Sequence, residues 1–414
     1  MKEKIINNIH NPAELEKLYQ SDKNSFEKAF ATIFESHSQE TTIQIWRERL
    51  YYKEVGTSLY VKKEFGIILI LILIAGLIAN ISNIHGVNAE LFFARNGSFI
   101  IIPFIAAFFL WKGNVNMKTS IILAALFGIS AVYINLLPNP RTSSSINLSY
   151  IHLPIFLWCI LGYAYVGEAY KHSEKRIGFF KFNGDLLVMS VVLFLAGMLF
   201  TVITMGLFEL IGIKIGIFYF QYIAIWGIGG IPLVATYLIH TNPQIINKVT
   251  PIIAKIFTPM AFITLAIYLV AIISKGKYPH HDRNLLLIYN ALLIGVLALI
   301  FFSVAEIEKN KKGYYNTVLL FGLSVLTLVI NSIALSAISY RLLEYGITPN
   351  RIVVLGGNLL IFVNLLIVAI QLIKAIKNNT ELTEVQNCIA KYLPIYAVWV
   401  GIVAFLIPLL FNFK

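Results

Sequence analysis

The segment 340–351 concentrates charged and aromatic side chains between two long apolar stretches. Its two arginines, Arg341 and Arg351, could bind an anion, because a guanidinium presents five N–H donors in a fixed fork. Glu344 follows Arg341 by three positions, which is close enough for an ion pair on a last helical turn. The segment therefore predicts either an anion-binding feature or a charge-pinned connector that fixes two helices.

The same segment contains the signals of one helix ending and another beginning. Gly346 suits a helix C-terminus, and Thr348 followed by Pro349 suits a new start. The candidate binding residues of this segment are Arg341, Glu344, Tyr345, Gly346, Thr348 and Arg351.

Uncharged polar side chains recur inside the apolar stretches, where they either join helices by hydrogen bonds or line a neutral, hydrated cavity. Helix breakers at 227–232 and Pro259 favour the cavity, since they could free backbone carbonyls toward a ligand. The polar residues are Asn80, Asn135, Gln221, Asn290, Asn331, Asn358 and Asn364, with Thr201, Thr204 and Ser332. The candidate binding residues chosen around this cavity are Asn331, Asn358, Gln221, Lys255 and Pro259.

Ionisable residues are rare in the apolar stretches, and each is a functional candidate because lipid makes it costly. Those present lie near stretch ends: His152, Glu168, Glu209 and Lys255. Near an interface a lysine can snorkel and a glutamate can meet water. We place no Asp or Glu at mid-depth, which argues against a proton pump with an acidic relay.

A second polar segment, 279–283, contains His280, His281 and Asp282. Adjacent residues diverge in direction, and the spacing differs from that of recognised zinc motifs. We therefore expect no metal site and no cofactor. Cys159 and Cys388 form no Cys-x-x-Cys pair and are expected to be free thiols.

The composition requires a bilayer as the solvent. The chain has 414 residues, of which 58% are hydrophobic and 13% charged, and the mean hydropathy is +0.75. A soluble protein carries about twice that charge. The formal charge of +12 reflects basic residues in the short loops between apolar stretches, so membrane topology explains it better than a nucleic-acid partner.

Crossing the hydrocarbon layer takes about 20 apolar residues in a helix, and by this rule the sequence predicts eleven spans. They are 65–83, 94–111, 119–137, 150–170, 185–211, 215–240, 251–274, 284–305, 315–340, 351–373 and 392–412. In the second span, Arg95, Asn96 and Gly97 shorten the apolar core, so we expect it to be tilted or re-entrant. The fifth and sixth spans should form a tight hairpin.

The predicted loops on the same side of the membrane as the N-terminus carry about twice as many basic residues as the loops on the other side. This bias favours an N-terminus inside and a C-terminus outside. The polar start of the chain predicts no cleaved signal. We expect the protein in the cytoplasmic (inner) membrane of a bacterium, with membrane lipids as its surroundings.

Residues 1–62 predict a small cytosolic cap of three amphipathic helices, ahead of a transmembrane bundle at 63–414. Asn11 is expected as an N-cap with Pro12 at the first helical position. The cap could pack Phe26 and Trp46 internally, lie on the membrane surface or bind a cytosolic protein partner.

The order Tyr340-Arg341, then Glu344-Tyr345-Gly346-Ile347-Thr348, then Arg351 resembles the signature of a bacterial multi-pass membrane family, domain of unknown function 4153, related to 4173. Ile347 stands where that family usually has leucine. The segment from Lys255 to Pro259 is similar to its proline-bearing helix, and 15–46 looks like the cap of some members. The resemblance implies an all-α polytopic bundle and singles out this loop, without implying an activity.

Three functions remain open at this level. The first is transport of a small neutral or anionic solute, motivated by broken helices with uncharged polar residues. The second is a membrane-embedded enzyme acting on lipid or a lipid-linked substrate at the outer face, through Arg341, Arg351, His280, His281 and Asp282. The third is a signalling or scaffold protein whose cap binds a partner.

Overall fold

The computed structural model describes residues 1–37, 39–51, 57–113, 115–138, 143–210, 214–241, 257–267, 269–270, 283–306, 314–378, 380 and 382–413. Over these residues the chain is helical and contains no strand. It folds as two compact units, Met1–Glu64 and Phe65–Lys414. The fold is the all-α polytopic helical bundle that the composition predicts.

The N-terminal unit contains α1 (Lys2–Asn7), α2 (Pro12–Ser21), α3 (Lys23–Phe34) and α4 (Thr41–Tyr51). The predicted N-cap is confirmed, because the Asn11 Oδ1 accepts a hydrogen bond from the Glu14 amide at 3.3 Å. Phe26 and Trp46 are buried, and their ring centroids lie 4.9 Å apart. Their side chains therefore pack inside this unit and are not available as membrane-surface anchors.

The described residues of the second unit lie mostly in helices. They are α5 (Thr57–Ala79), α6 (Ala89–Asn96), α7 (Ile102–Lys112), α8 (Met117–Leu136), α9 (Ser144–Val166), α10 (Ser173–Leu210), α11 (Gly216–Phe218), α12 (Ile225–Thr241), α13 (Phe257–Ile267), α14 (Arg283–Glu306), α15 (Tyr314–Tyr345), α16 (Pro349–Asn378), α17 (Thr383–Gly401) and α18 (Ile407–Leu410).

Within the described ranges, ten helical stretches are long and apolar enough to cross a membrane. Each coincides with a predicted span, so the chain is a multi-pass membrane protein. The remaining predicted span, 251–274, is described only over α13 and residues 269–270. The total of eleven therefore stays a prediction.

The second span is broken where the sequence predicts a weakness. It consists of α6, a 3₁₀ turn over Gly97–Ile100, and α7. The Arg95 side chain, in the last turn of α6, reaches the end of α8. Its Nη2 donates to the Leu137 carbonyl at 2.7 Å, and its Nε donates to the Tyr150 hydroxyl at 3.0 Å. Asn96 exchanges amide hydrogen bonds with Asn135 at 2.8 and 3.1 Å. Through Arg95, the carbonyls of Asn135 and Leu137 at the end of α8, which have no partner within their own helix, gain a donor.

The fifth span belongs to a helix that starts earlier than predicted. α10 has 38 residues and begins at Ser173, whereas the predicted span begins at Asp185. Lysine and arginine are good helix formers, so the basic residues before the apolar part continue the helix. At 1.5 Å per residue α10 is about 57 Å long, which exceeds a hydrocarbon layer of about 30 Å. Its basic end therefore extends beyond that layer.

Two π-helical turns interrupt long spans, at Tyr219–Ala224 and Ile402–Leu406. Side chains from other helices donate to carbonyls in both turns. Asn83 Nδ2 donates to the Gln221 carbonyl at 2.7 Å. Ser149 Oγ donates to the Ala404 carbonyl at 2.7 Å, and Tyr133 Oη to the Phe405 carbonyl at 3.3 Å. These contacts supply hydrogen bonds where a π turn departs from the regular α-helical pattern.

Glycines allow aromatic rings to reach the backbone at several helix crossings. On α16, a Cβ at Gly356 would collide with the Trp399 ring of α17, whereas one at Gly357 would meet only Trp399 Nε1, at 3.9 Å. On α10, a Cβ at Gly184 would collide with the Phe302 ring of α14. Gly356 and Gly184 thus set how closely these helices approach.

The two neighbouring glycines of α16 should respond oppositely to alanine. Both substitutions improve helix propensity by about 1 kcal/mol, but Gly356→Ala must also displace Trp399, which costs about 1–3 kcal/mol. We expect the thermal midpoint of the purified protein to fall for Gly356→Ala and to stay equal or rise for Gly357→Ala. Equal midpoints for the two variants would contradict the close contact with Trp399.

Candidate functional site

Three asparagines lie at the centre of the bundle that α14, α15, α16 and α17 form around one apolar core. Asn331 on α15 is 0% exposed, and Asn358 and Asn364 on α16 are 3% and 1% exposed. Asn358 and Asn364 are separated by about 9 Å along α16. These three predicted polar positions therefore lie inside the protein and not on its lipid face.

Hydrogen bonds join three of these helices through their amides. Asn331 Nδ2 donates to the Asn358 carbonyl at 3.0 Å. Asn358 Nδ2 in turn donates to Asn290 Oδ1 on α14 at 2.9 Å. On the fourth helix, Tyr392 Oη donates to the Leu360 carbonyl at 3.1 Å. For Asn290, Asn331 and Asn358 the predicted helix-to-helix hydrogen bonding is confirmed.

Other polar atoms in the same bundle make no hydrogen bond within the described chain. They are Asn331 Oδ1, both polar atoms of the Asn364 amide, the Tyr396 hydroxyl and, at the end of α14, both carboxylate oxygens of Glu306, and all six are buried. Rotating the Asn364 amide by 180° would exchange its nitrogen and oxygen and leave the same two positions without partners. An unpaired buried polar group costs about 1–3 kcal/mol. These atoms can therefore gain hydrogen bonds from a bound polar molecule.

The other candidates from the cavity hypothesis are not brought to this cluster. Gln221 lies in the first π-helical turn with an exposed side chain, and its described polar contact is the one from Asn83. Lys255 lies outside the described residues. Pro259 lies in α13 beside Thr258, whose hydroxyl is 2.7 Å from that of Ser303 on α14.

The segment between α15 and α16 forms a capped connector. Gly346 has φ +76°, as the predicted helix end requires, and Thr348 Oγ1 accepts from the Arg351 amide at 3.4 Å. Arg351 Nη1 donates to the carbonyls of Tyr345 and Gly346 at 2.7 and 2.6 Å. Arg351 thereby ties the start of α16 to the end of α15.

Arg341 contacts an aromatic ring instead of its expected acidic partner. Its Cζ lies 5.8 Å from the Tyr345 ring centroid, and Arg351 Cζ lies 5.5 Å from the same centroid. The predicted ion pair with Glu344 is absent from the ion pairs of the described residues. Stacking on Tyr345 keeps the guanidinium close to the loop, which explains the difference.

Sequence reasoning missed a buried pair of carboxylates, Asp185 on α10 and Glu306 on α14, which are 5% and 8% exposed. Lys181 Nζ lies 3.9 Å from a Glu306 oxygen. Both acidic residues fall at edges of predicted spans on the same predicted side of the membrane, a signal that could have revealed them. In the described part of the chain, no three His, Cys, Asp or Glu side chains meet as a metal site would need.

Two further sequence-based expectations have mixed outcomes. Cys159 and Cys388 are free cysteines, as predicted. His280, His281 and Asp282 lie outside the described residues, so their predicted role at an enzyme site stays untested.

Comparison of the chain with protein families, with curated proteins and with solved structures finds no match. The resemblance of the 340–351 segment to domain of unknown function 4153 therefore stays a prediction.

Two asparagines of α16 should differ in the sign of their effect on stability. Asn358→Leu leaves Asn290 Oδ1 without its donor, so we expect the free energy of unfolding to fall by about 1–3 kcal/mol. Asn364→Leu removes two unpaired polar atoms and should leave stability equal or higher. Thermal unfolding of both variants in one detergent measures the difference. A loss for Asn364→Leu as large as that for Asn358→Leu would show that the Asn364 amide has a structural partner.

Proposed function

We propose that this multi-pass membrane protein transports a small, neutral, polar solute through the bundle of α14 to α17. The observation that carries the proposal is the Asn364 amide, which is 1% exposed and makes no hydrogen bond in the described chain. Stability alone would favour an apolar residue there, because hydrocarbon and apolar side chains form no hydrogen bonds with an amide. A passing solute with its own donors and acceptors gives the amide a use.

The chemistry of the unpaired groups in this bundle favours a neutral solute over an anionic one. Asn364 offers one donor group and one acceptor, Asn331 offers an acceptor, and the Tyr396 hydroxyl can do both. An anion would need positive charge to replace its hydration, whereas the unpaired groups of the described bundle are amides, a hydroxyl and the Glu306 carboxylate. Polyols and small amides match this set.

For location, we propose the cytoplasmic membrane of a bacterium, with the N-terminus inside and the C-terminus outside. The distribution of basic residues between the predicted loops supports this orientation, and the resemblance to a bacterial family supports the membrane. A cytosolic protein partner of residues 1–62 remains a proposal from the sequence.

Transport can be tested in proteoliposomes by solute-induced swelling, with glycerol and urea as probes. We expect vesicles with the wild-type protein to swell faster than protein-free vesicles, and Asn364→Leu to return swelling to the protein-free rate. The matched control is Ser332→Ala, since Ser332 is an exposed neighbour of Asn331 that bonds only its own helix in the described chain, at Leu328.

The stability of Asn364→Leu makes this test decisive. If the amide serves transport, the variant loses swelling while its thermal midpoint stays equal or rises. Swelling at the wild-type rate in Asn364→Leu, or no swelling with either probe in the wild type, would contradict the proposal.

A further inference from the structure

The two arginines of the α15–α16 connector lie at the level where the apolar part of each helix ends. Arg341 follows the uncharged stretch 318–339 of α15, and Arg351 precedes the uncharged stretch 352–373 of α16. Each stretch is about as long as a bilayer crossing requires. Arginine and tyrosine at such positions belong to the headgroup region. The connector is therefore located where phospholipid phosphates are found.

Both guanidinium groups keep donors that the described protein does not use. Arg341 makes no hydrogen bond to a described residue, and its side chain is held by the Tyr345 ring. Arg351 uses Nη1 for the two carbonyls that end α15, which leaves Nε and Nη2. Both groups lie within 6 Å of the centroid of the Tyr345 ring, so this one side chain holds two cations at the same connector.

Apolar side chains beside these cations face outward. Leu343 is 84% exposed, Ile347 67% and Tyr345 53%. Several large apolar side chains exposed together beside polar groups mark a contact with a membrane or with another protein. At the edge of the hydrocarbon layer the apolar side chains can contact lipid acyl chains, and the arginines can bind lipid phosphates.

We propose that this connector binds the headgroup of an anionic phospholipid. The free donors of Arg341 and Arg351 bind the phosphate oxygens as a guanidinium fork does, while Leu343 and Ile347 contact the acyl chains. Glu344 is exposed beside them and opposes the negative charge of the lipid. The proposal is independent of solute transport, because its residues lie in the connector and not among the buried amides.

The test is thermal unfolding of the full-length protein in detergent micelles at increasing fractions of phosphatidylglycerol, with phosphatidylcholine as the zwitterionic comparison. We expect phosphatidylglycerol to raise the midpoint at lower fractions than phosphatidylcholine. Arg341→Gln should weaken the apparent affinity for phosphatidylglycerol about fivefold, the effect of one arginine at a membrane surface. Glu344→Gln should strengthen it.

Two controls keep the result specific. Lys118→Gln removes an exposed cation at the start of another span and should leave the lipid dependence unchanged. Arg341→Lys keeps the charge without the fork and should give an intermediate affinity. Should Arg341→Gln respond to phosphatidylglycerol as the wild type does, lipid binding at the connector is excluded. Equal stabilisation by inorganic phosphate alone would assign the arginines to a soluble anion and overturn the lipid proposal.

Discussion

Hydrocarbon offers no hydrogen bonds, so every carbonyl freed by a helix end or a π-helical turn must meet a donor from the protein itself. The bundle meets this constraint repeatedly with side chains from a neighbouring helix. Arg95 caps α8, Ser149 donates to the last span, and Asn83 donates to the first π-helical turn. Irregular backbone is thus tolerated at membrane depth because adjacent helices supply the missing partners. The same contacts fix which helices lie side by side.

Against this background the unpaired atoms between α14 and α17 are distinctive. The amide nitrogens of Asn331 and Asn358 follow the rule, since each donates to another helix, whereas Asn331 Oδ1 has no partner in the described chain. Asn364 and the Tyr396 hydroxyl are equally enclosed and follow it nowhere in the described chain. Leucine at these positions would give a more stable fold. Polar groups that reduce stability are common at the functional sites of proteins, and these two groups are therefore functional candidates.

Sequence information was sufficient wherever the signal is local. The length of the apolar stretches located the spans, Arg95 with Gly97 marked the break in the second span, and Asn11 and Gly346 marked helix ends. Asn358 and Asn364 are the same residue type on one helix, so the sequence does not show which of them has a hydrogen-bond partner. The rotation of α16 about its axis relative to its neighbours decides that Asn358 is paired and Asn364 is not. Asp185 and Glu306 interact through packing between helices that are distant in the chain, so the local sequence shows each one only as a separate acidic residue at the edge of a span.

The π-helical turn at Ile402–Leu406 also has a consequence for the C-terminus. Relative to an uninterrupted α-helix, such a turn accommodates one extra residue, and each residue turns the remainder of the helix by about 100°. Ile407 and Pro408 are buried, and Ile407 packs with Leu148 and Val353. Shortening this segment by one residue would restore a regular helix and swing both side chains out of that contact. The one extra residue in this π-helical turn therefore sets the direction in which Ile407 and Pro408 point.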